Sequence, residues 1–235
     1  MNTIETIPLT NLAYILIPVL IVVIIIAAWK LHVSHSLYAI TRMLIQLLAI
    51  GYFLNSIFAT HSAQITLSIL FFMLIFSSWI ALGTVKKHRR LWFGKALFSL
   101  GLAAVITLST IILGVLEVSP WYEARYIIPL GGMILANSMN SLSLAAERFQ
   151  SEIKNNSDSL RARNISFNAA LIPTINMLFA VGLVSLPGMM TGQILSGISP
   201  FIAARYQIMV MCMMFASSGI SAACFLALVR RNYKT

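Results

Sequence analysis

Charge is scarce in this chain, and acid is scarcer still. Only 9% of its 235 residues are Asp, Glu, Lys or Arg, against about 25% in a soluble domain. Six are acidic and Asp158 is the only aspartate, which excludes a catalytic pair of aspartates inside a membrane. The two cysteines, Cys212 and Cys224, fall within one predicted helix, too far apart along its axis to bridge. They read as small apolar packing residues, and no disulfide framework follows. None of the four histidines lies well inside an apolar run, which argues against a membrane haem site. His32 and His35 stand three apart but lack carboxylate or cysteine companions, a weak signal for a metal. There is no HExxH helix and no GxSxG elbow. A phosphate-binding GxxxxGK[ST] loop is also missing, because Arg89 stands where the first glycine before Gly94-Lys95 belongs. The chain therefore reads as a non-enzyme that binds no cofactor itself. If ATP drives it, another chain binds the ATP.

Apolar sequence is plentiful: 59% of the residues are hydrophobic. Long runs place the chain in the all-α class, as a polytopic membrane protein. Seven spans are predicted, roughly 12–29, 39–58, 65–83, 96–116, 126–145, 170–195 and 206–229. The formal charge of +10 is no sign of a nucleic-acid partner, because the basic residues sit in short loops between apolar runs. Counting Arg42, just inside the second span, with the first connection, all 16 Lys and Arg residues except Arg125 and Arg205 belong to the odd-numbered connections or the tail. Positive loops stay cytoplasmic, so the N-terminus, with Glu5 and no basic residue, is expected outside and the C-terminus inside. Trp29, Trp79, Trp92 and Trp121 lie near predicted span ends, where indole rings anchor to headgroups. Residues 1–11 lack a basic segment, so no cleavable secretory signal is expected. No repeat or linker divides the sequence, and a single domain over residues 1–235 is expected.

Two segments carry candidate chemistry. The stretch Val184–Gly197 lies in an uncharged run between Arg163 and Arg205, and Pro187-Gly188 interrupts it. A broken helix is tolerated in hydrocarbon only where protein or water receives the freed backbone groups, and transporters build midplane sites at such breaks. Met189, Met190 and Gln193 follow the break and are candidate lining for a translocation path. In the fifth span, Met133, Asn137, Asn140 and Ser141 share one helical face. Met133, Asn137 and Asn140 are candidates for the same path. The alternatives are a kinked packing helix in the sixth span and interhelical hydrogen bonding in the fifth. A lining of thioethers and neutral amides suits weak, transient binding of a soft or borderline metal.

Several stretches together resemble one family. Residues 170–174 read ALIPT, 181–192 read VGLVSLPGMMTG, and 205–208 read RYQI. Residues 42–54 (RMLIQLLAIGYFL) and 128–143 (IPLGGMILANSMNSLS) agree with them. The chain is similar over these segments to the FetB-type ABC permeases, which include bacterial iron exporters and plant aluminium-tolerance permeases. The resemblance implies a bacterial inner-membrane permease exporting metal ions. It further implies a permease homodimer working with a separate ATP-binding-cassette ATPase. One departure is visible: the connection after the fifth span, Glu147–Asn168, is short and has no glycine, whereas family members carry a longer segment there. Contact with the ATPase is then expected from Arg148, Lys154, Arg161 and Arg163, on a short helix capped by Ser157 or Asp158. The alternative is an ATPase-independent membrane protein, either a passive metal channel or an uncoupled regulatory paralogue.

Overall fold

The computed structural model describes residues 8–58 and 62–233; the expectations that concern Glu5, His61 and Lys234 lie outside them. Among the described residues the chain is helical and has no β-strand. Its contacts fall into two compact units, residues 1–60 and 61–235, beside the single domain expected from the sequence. Each unit is described by itself.

The first unit pairs two apolar runs. α1 (Leu9–Leu12) and α2 (Leu16–Ala28) are joined by one turn of 3₁₀ helix and together form a first span. α3 (Val33–Phe58) returns the chain. Lys30 makes the turn between them in the left-handed region, at φ 56°. There its N–H donates to the Ala27 carbonyl and that of Leu31 to the Ile26 carbonyl, closing the end of α2. Among the described residues of these two spans none is buried, and side chains such as Ile24 and Leu48 stand exposed. Apolar surface of this extent suits a hydrocarbon environment and would be a liability in water.

The second unit is a bundle of α4 (Ala63–Ala81), α5 (Arg89–Ser109), α6 (Ala124–Lys154), α7 (Ser159–Ala180), the short α8 (Gly188–Leu195) and α9 (Pro200–Arg230). α6 and α9 are central, since each packs against several of the others. Two apolar clusters fill the bundle. Trp92, Leu142, Phe149, Phe225 and Val229 build one toward the end that carries most of the basic residues. Ile111, Ile127, Leu130, Ile134, Val210 and Met213 build the other toward the opposite end. α4 packs on α6, and a Cβ on Gly131 would fall 2.5 Å from Leu70 Cδ2, so a larger residue there would require the Leu70 side chain to shift.

Six helical runs are long and apolar enough to cross a membrane. α7 is not among them, because its first half carries Arg161, Arg163, Asn164 and Asn168. The predicted sixth span, 170–195, is thus corrected: α7 ends at Ala180, residues 181–187 are not helical, and α8 is a separate helix. Pro187, expected at the centre of the break, is its last residue and the N-cap of α8. The fifth span runs on to Lys154 and the last begins at Pro200. The 147–168 connection shrinks to residues 155–158, and Asp158 caps α7 by accepting from the N–H groups of Leu160 and Arg161.

Candidate functional site

The break between α7 and α8 is built by its own backbone. Val181 leaves the helix with extended angles, and Gly182 then takes φ +83°, which a side chain would disfavour. The N–H groups of Leu183, Val184 and Ser185 all converge on the Ala180 carbonyl, and Gly182 N–H donates to Ser185 O. Pro187, which has no N–H to offer, starts α8. The end of α8 mirrors its start. Gly197 is left-handed at φ +87°, its N–H meets Ile194 O, and Ile198 N–H meets Gln193 O. α8 is therefore an eight-residue helix held between two left-handed glycines. Leu183 and Val184 at the tip of the break are 91% and 83% exposed, so the loop projects from the unit.

Of the α8 residues singled out in the sequence, Met189 is exposed, while Met190 and Gln193 are half-buried. α8 packs on α9. Gln193 Oε1 is shut off from solvent without a hydrogen-bond partner.

The α6 residues are dispersed in environment, although they share a face. Met133 is half-buried against the apolar cluster at the less basic end. Asn137 donates through Nδ2 to the Met214 carbonyl and to Ser218 Oγ on α9. Ser218 Oγ also accepts from Thr174 Oγ1 of α7, at 3.4 Å. This small polar junction fastens α6, α7 and α9 together. Asn140 is exposed and Ser141 buried. Among the described residues no hydrogen bond joins the α6 residues to those of α8; both helices pack on α9. Thr174, Ser218 and Gln207 were not singled out as site residues in the sequence, although Gln207 is the only amide in α9 and falls within the RYQI stretch. Most other buried hydroxyls of the bundle are spent within their own helices: Ser99 donates to Lys95 O, Thr107 to Ala103 O, Ser166 to Ala162 O and Ser221 to Ser218 O. Among the described residues no group of three or more His, Cys, Asp or Glu side chains is placed to hold a metal.

At the basic end, α6 and α7 form a projecting hairpin. α6 is about 46 Å long at 1.5 Å per residue, well beyond the ~30 Å hydrocarbon core, so its last turns stand outside lipid. Arg148 pairs with Glu152 at 2.7 Å, and Glu152 also accepts from Ser157 Oγ. Asn156, left-handed at φ 57°, closes the helix end. Lys154 and Arg161 are exposed beside the turn, while Arg163 lies half-buried and bonds the neighbouring Asn164. His88 approaches Gln150 at 3.1 Å and stacks on Trp92, which ties the Lys86–Arg90 block to the hairpin's base.

Sequence comparison adds relatives to this geometry. The model described as "Uncharacterised protein family (UPF0014)" matches residues 9–163 and 159–233, two segments that overlap at the start of α7, just past the shortened α6–α7 connection. A Synechocystis protein named UPF0014 membrane protein slr1647 is 35% identical over 85% of this chain and 83% of its own length. An Escherichia coli protein named probable iron export permease protein FetB is 34% identical over 92% of this chain and 89% of its own. The Arabidopsis thaliana protein named ALUMINUM SENSITIVE 3 is 28% identical over 88% of this chain and 80% of its own. No solved structure matches.

Proposed function

This chain belongs to the UPF0014 family of membrane proteins, and on that premise we propose that it is the permease subunit of an ABC-type metal exporter, with ATP hydrolysed on a separate chain. The observation that carries the reading is the interrupted α7–α8 element. From Asn164 to Ala180, the charge-free part of α7 is about 26 Å long, short of the ~30 Å hydrocarbon core. The chain completes the remaining distance with a turn and a short helix, the arrangement by which transporters place a site near the midplane. The metal-ion class comes from the relative named as an iron export permease.

In this reading the basic end faces the cytoplasm and the protein sits in the bacterial inner membrane, as two permeases with two ATPases. The α6–α7 hairpin, with Arg148, Lys154, Arg161 and Arg163, meets the ATPase. Closure of the ATPase pair pushes the hairpin, and Asn137 transmits the push from α6 to α9. α8, hinged at Gly182 and Gly197, then changes which side of the membrane Met189, Met190 and Gln193 face. Met133 and Asn140 line the α6 side of the route.

Vesicles holding this chain and its candidate ATPase should show metal flux that requires ATP. Flux that runs equally without ATP would replace this reading with a passive metal channel, which the very short 155–158 connection favours as the second reading. No flux under either condition would overturn both.

A further inference from the structure

α7 and α9 pack together, yet a cleft of about 230 Å³ stays open between them toward the basic end. Arg163, Asn164 and Phe167 line it from α7, and Ala223, Leu226 and Ala227 line it from α9. α7 runs away from the basic end and α9 runs toward it. Arg163 and Ala227 therefore stand at the outer level of the cleft, with Phe167 and Ala223 one turn deeper, about 6 Å along the axes. The charge-free length of α7 begins just after Arg163, and that of α9 ends just before Arg230. Both mark the same boundary, so the cleft is polar at headgroup level and apolar below it.

The polar end has cations and no acid. Arg163 donates through Nε and Nη2 to Asn164 Oδ1, at 3.0 and 2.8 Å. Those bonds fix the plane of the guanidinium and leave its remaining N–H groups free. On α9, Arg230 follows Leu226 by four residues and Ala227 by three, so it continues the cleft's own face one turn further out. Its Nε is shut off from solvent without a hydrogen-bond partner, and the neighbouring Arg231 is exposed. Among the described residues none of the three arginines is in an ion pair. Like charges gathered beside apolar helices are costly unless an anion meets them.

We propose that the α7–α9 cleft binds an anionic phospholipid of the leaflet at the basic end, with its phosphate on Arg163 and beside Arg230 and Arg231. Phosphate oxygens accept from the arginine fork. A net negative headgroup answers the three cations, and basic pockets between membrane helices take such lipids. Below the phosphate, the start of an acyl chain lies against Phe167 and Leu226, where Ala223 and Ala227 leave room. A soluble partner could reach the exposed Arg148, Lys154 and Arg161 but not this apolar depth. In the permease reading the lipid thus sits beside the ATPase contact. The site itself rests only on the placement of the chain in a membrane, and it is tested without transport.

The test uses the full chain purified in detergent, with thermal melting followed as phosphatidylglycerol is titrated into the micelles. The wild type should melt higher as this lipid rises, and respond far less to phosphatidylcholine or to inorganic phosphate. Arg163→Gln should weaken the apparent affinity for phosphatidylglycerol about fivefold or more, and Arg163→Lys, which keeps the charge, should weaken it less. Ala223 is exposed, so Ala223→Phe crowds the cleft without entering the core and should also weaken the response. Arg90→Gln, which removes an exposed cation elsewhere at the basic end, should leave it unchanged. Equal responses to the two lipids would overturn the proposal, since the cleft would then meet only bulk lipid. An equal response to inorganic phosphate would replace the lipid with a free anion. Arg163→Gln and Ala223→Phe variants that keep the full response, or an Arg90→Gln variant that loses as much, would move the effect away from the cleft. If Ala223→Phe turns a dimer into a monomer, as read by light scattering, the cleft belongs to a second copy of the chain and the lipid site falls.

Discussion

Asn137 gives its amide hydrogens to Met214 O and Ser218 Oγ on α9, whereas Asn140, less than one turn later, is exposed. The two residues are interchangeable in the sequence and not in the fold. Asn137→Ala removes an interhelical pair of bonds and leaves the Met214 carbonyl with less. It should cost about 1 kcal/mol, with an upper bound near 1.7 on membrane-protein precedent. Asn140→Ala should change stability by less than about 0.5 kcal/mol, and in the permease reading it should lower metal flux instead. Thermal melting of the two variants in one detergent checks the first contrast, and a larger loss for Asn140 would reverse the assignment. The shared face of Met133, Asn137, Asn140 and Ser141 was legible because helical periodicity is a local property. Which of them turns to a neighbour was not, because the bonding partners of Asn137 lie 77 and 81 residues away along the chain.

At the scale of elements, the interruption in the sixth hydrophobic run was legible from Pro187, and its position was not. Proline marks a place where a helix cannot run through from the preceding turn, and it is equally at home as the cap of the next helix. α7 had already stopped at Ala180, where Gly182 turns the backbone left-handed. One chemical change should therefore have opposite effects at two nearby glycines. Gly182→Ala forces a side chain into the left-handed region and should cost about 1–2 kcal/mol. Gly188→Ala enters α8 where nothing lies within 4 Å of the new methyl, and should gain up to about 1 kcal/mol from helix propensity. Melting temperatures moving in the same direction for both would mean that the turn is not what holds the break open. The shortened α6–α7 connection was visible as a missing stretch of sequence. Its consequence, a hairpin closed by Asn156 and capped by Asp158, depended on α6 continuing to Lys154.

For the whole molecule, charge placement carries the most weight. Lys86–Arg90, Lys154, Arg161 and Arg230 gather at one end of the second unit's bundle, and the projecting hairpin presents Lys154 and Arg161 to whatever lies beyond the membrane. Changing Arg148, Lys154 and Arg161 to Glu together should leave membrane insertion intact. In the permease reading, recovery of a candidate ATPase with the tagged chain should fall about tenfold or more, the equivalent of about 1.4 kcal/mol. Undiminished recovery would move the contact away from the hairpin. Composition and the long apolar runs were enough to determine an all-α membrane protein, because hydrocarbon imposes its demand on each segment separately and every span must meet it alone. The family was legible only through motif stretches such as residues 170–174 and 181–192. The tertiary structure alone decided that Asn137 is a tie between helices, that α7 stops short, and that Gln193 and Gln207 face inward with no donor. Those outcomes depend on which surfaces meet, and distant parts of the chain settle that only when they pack.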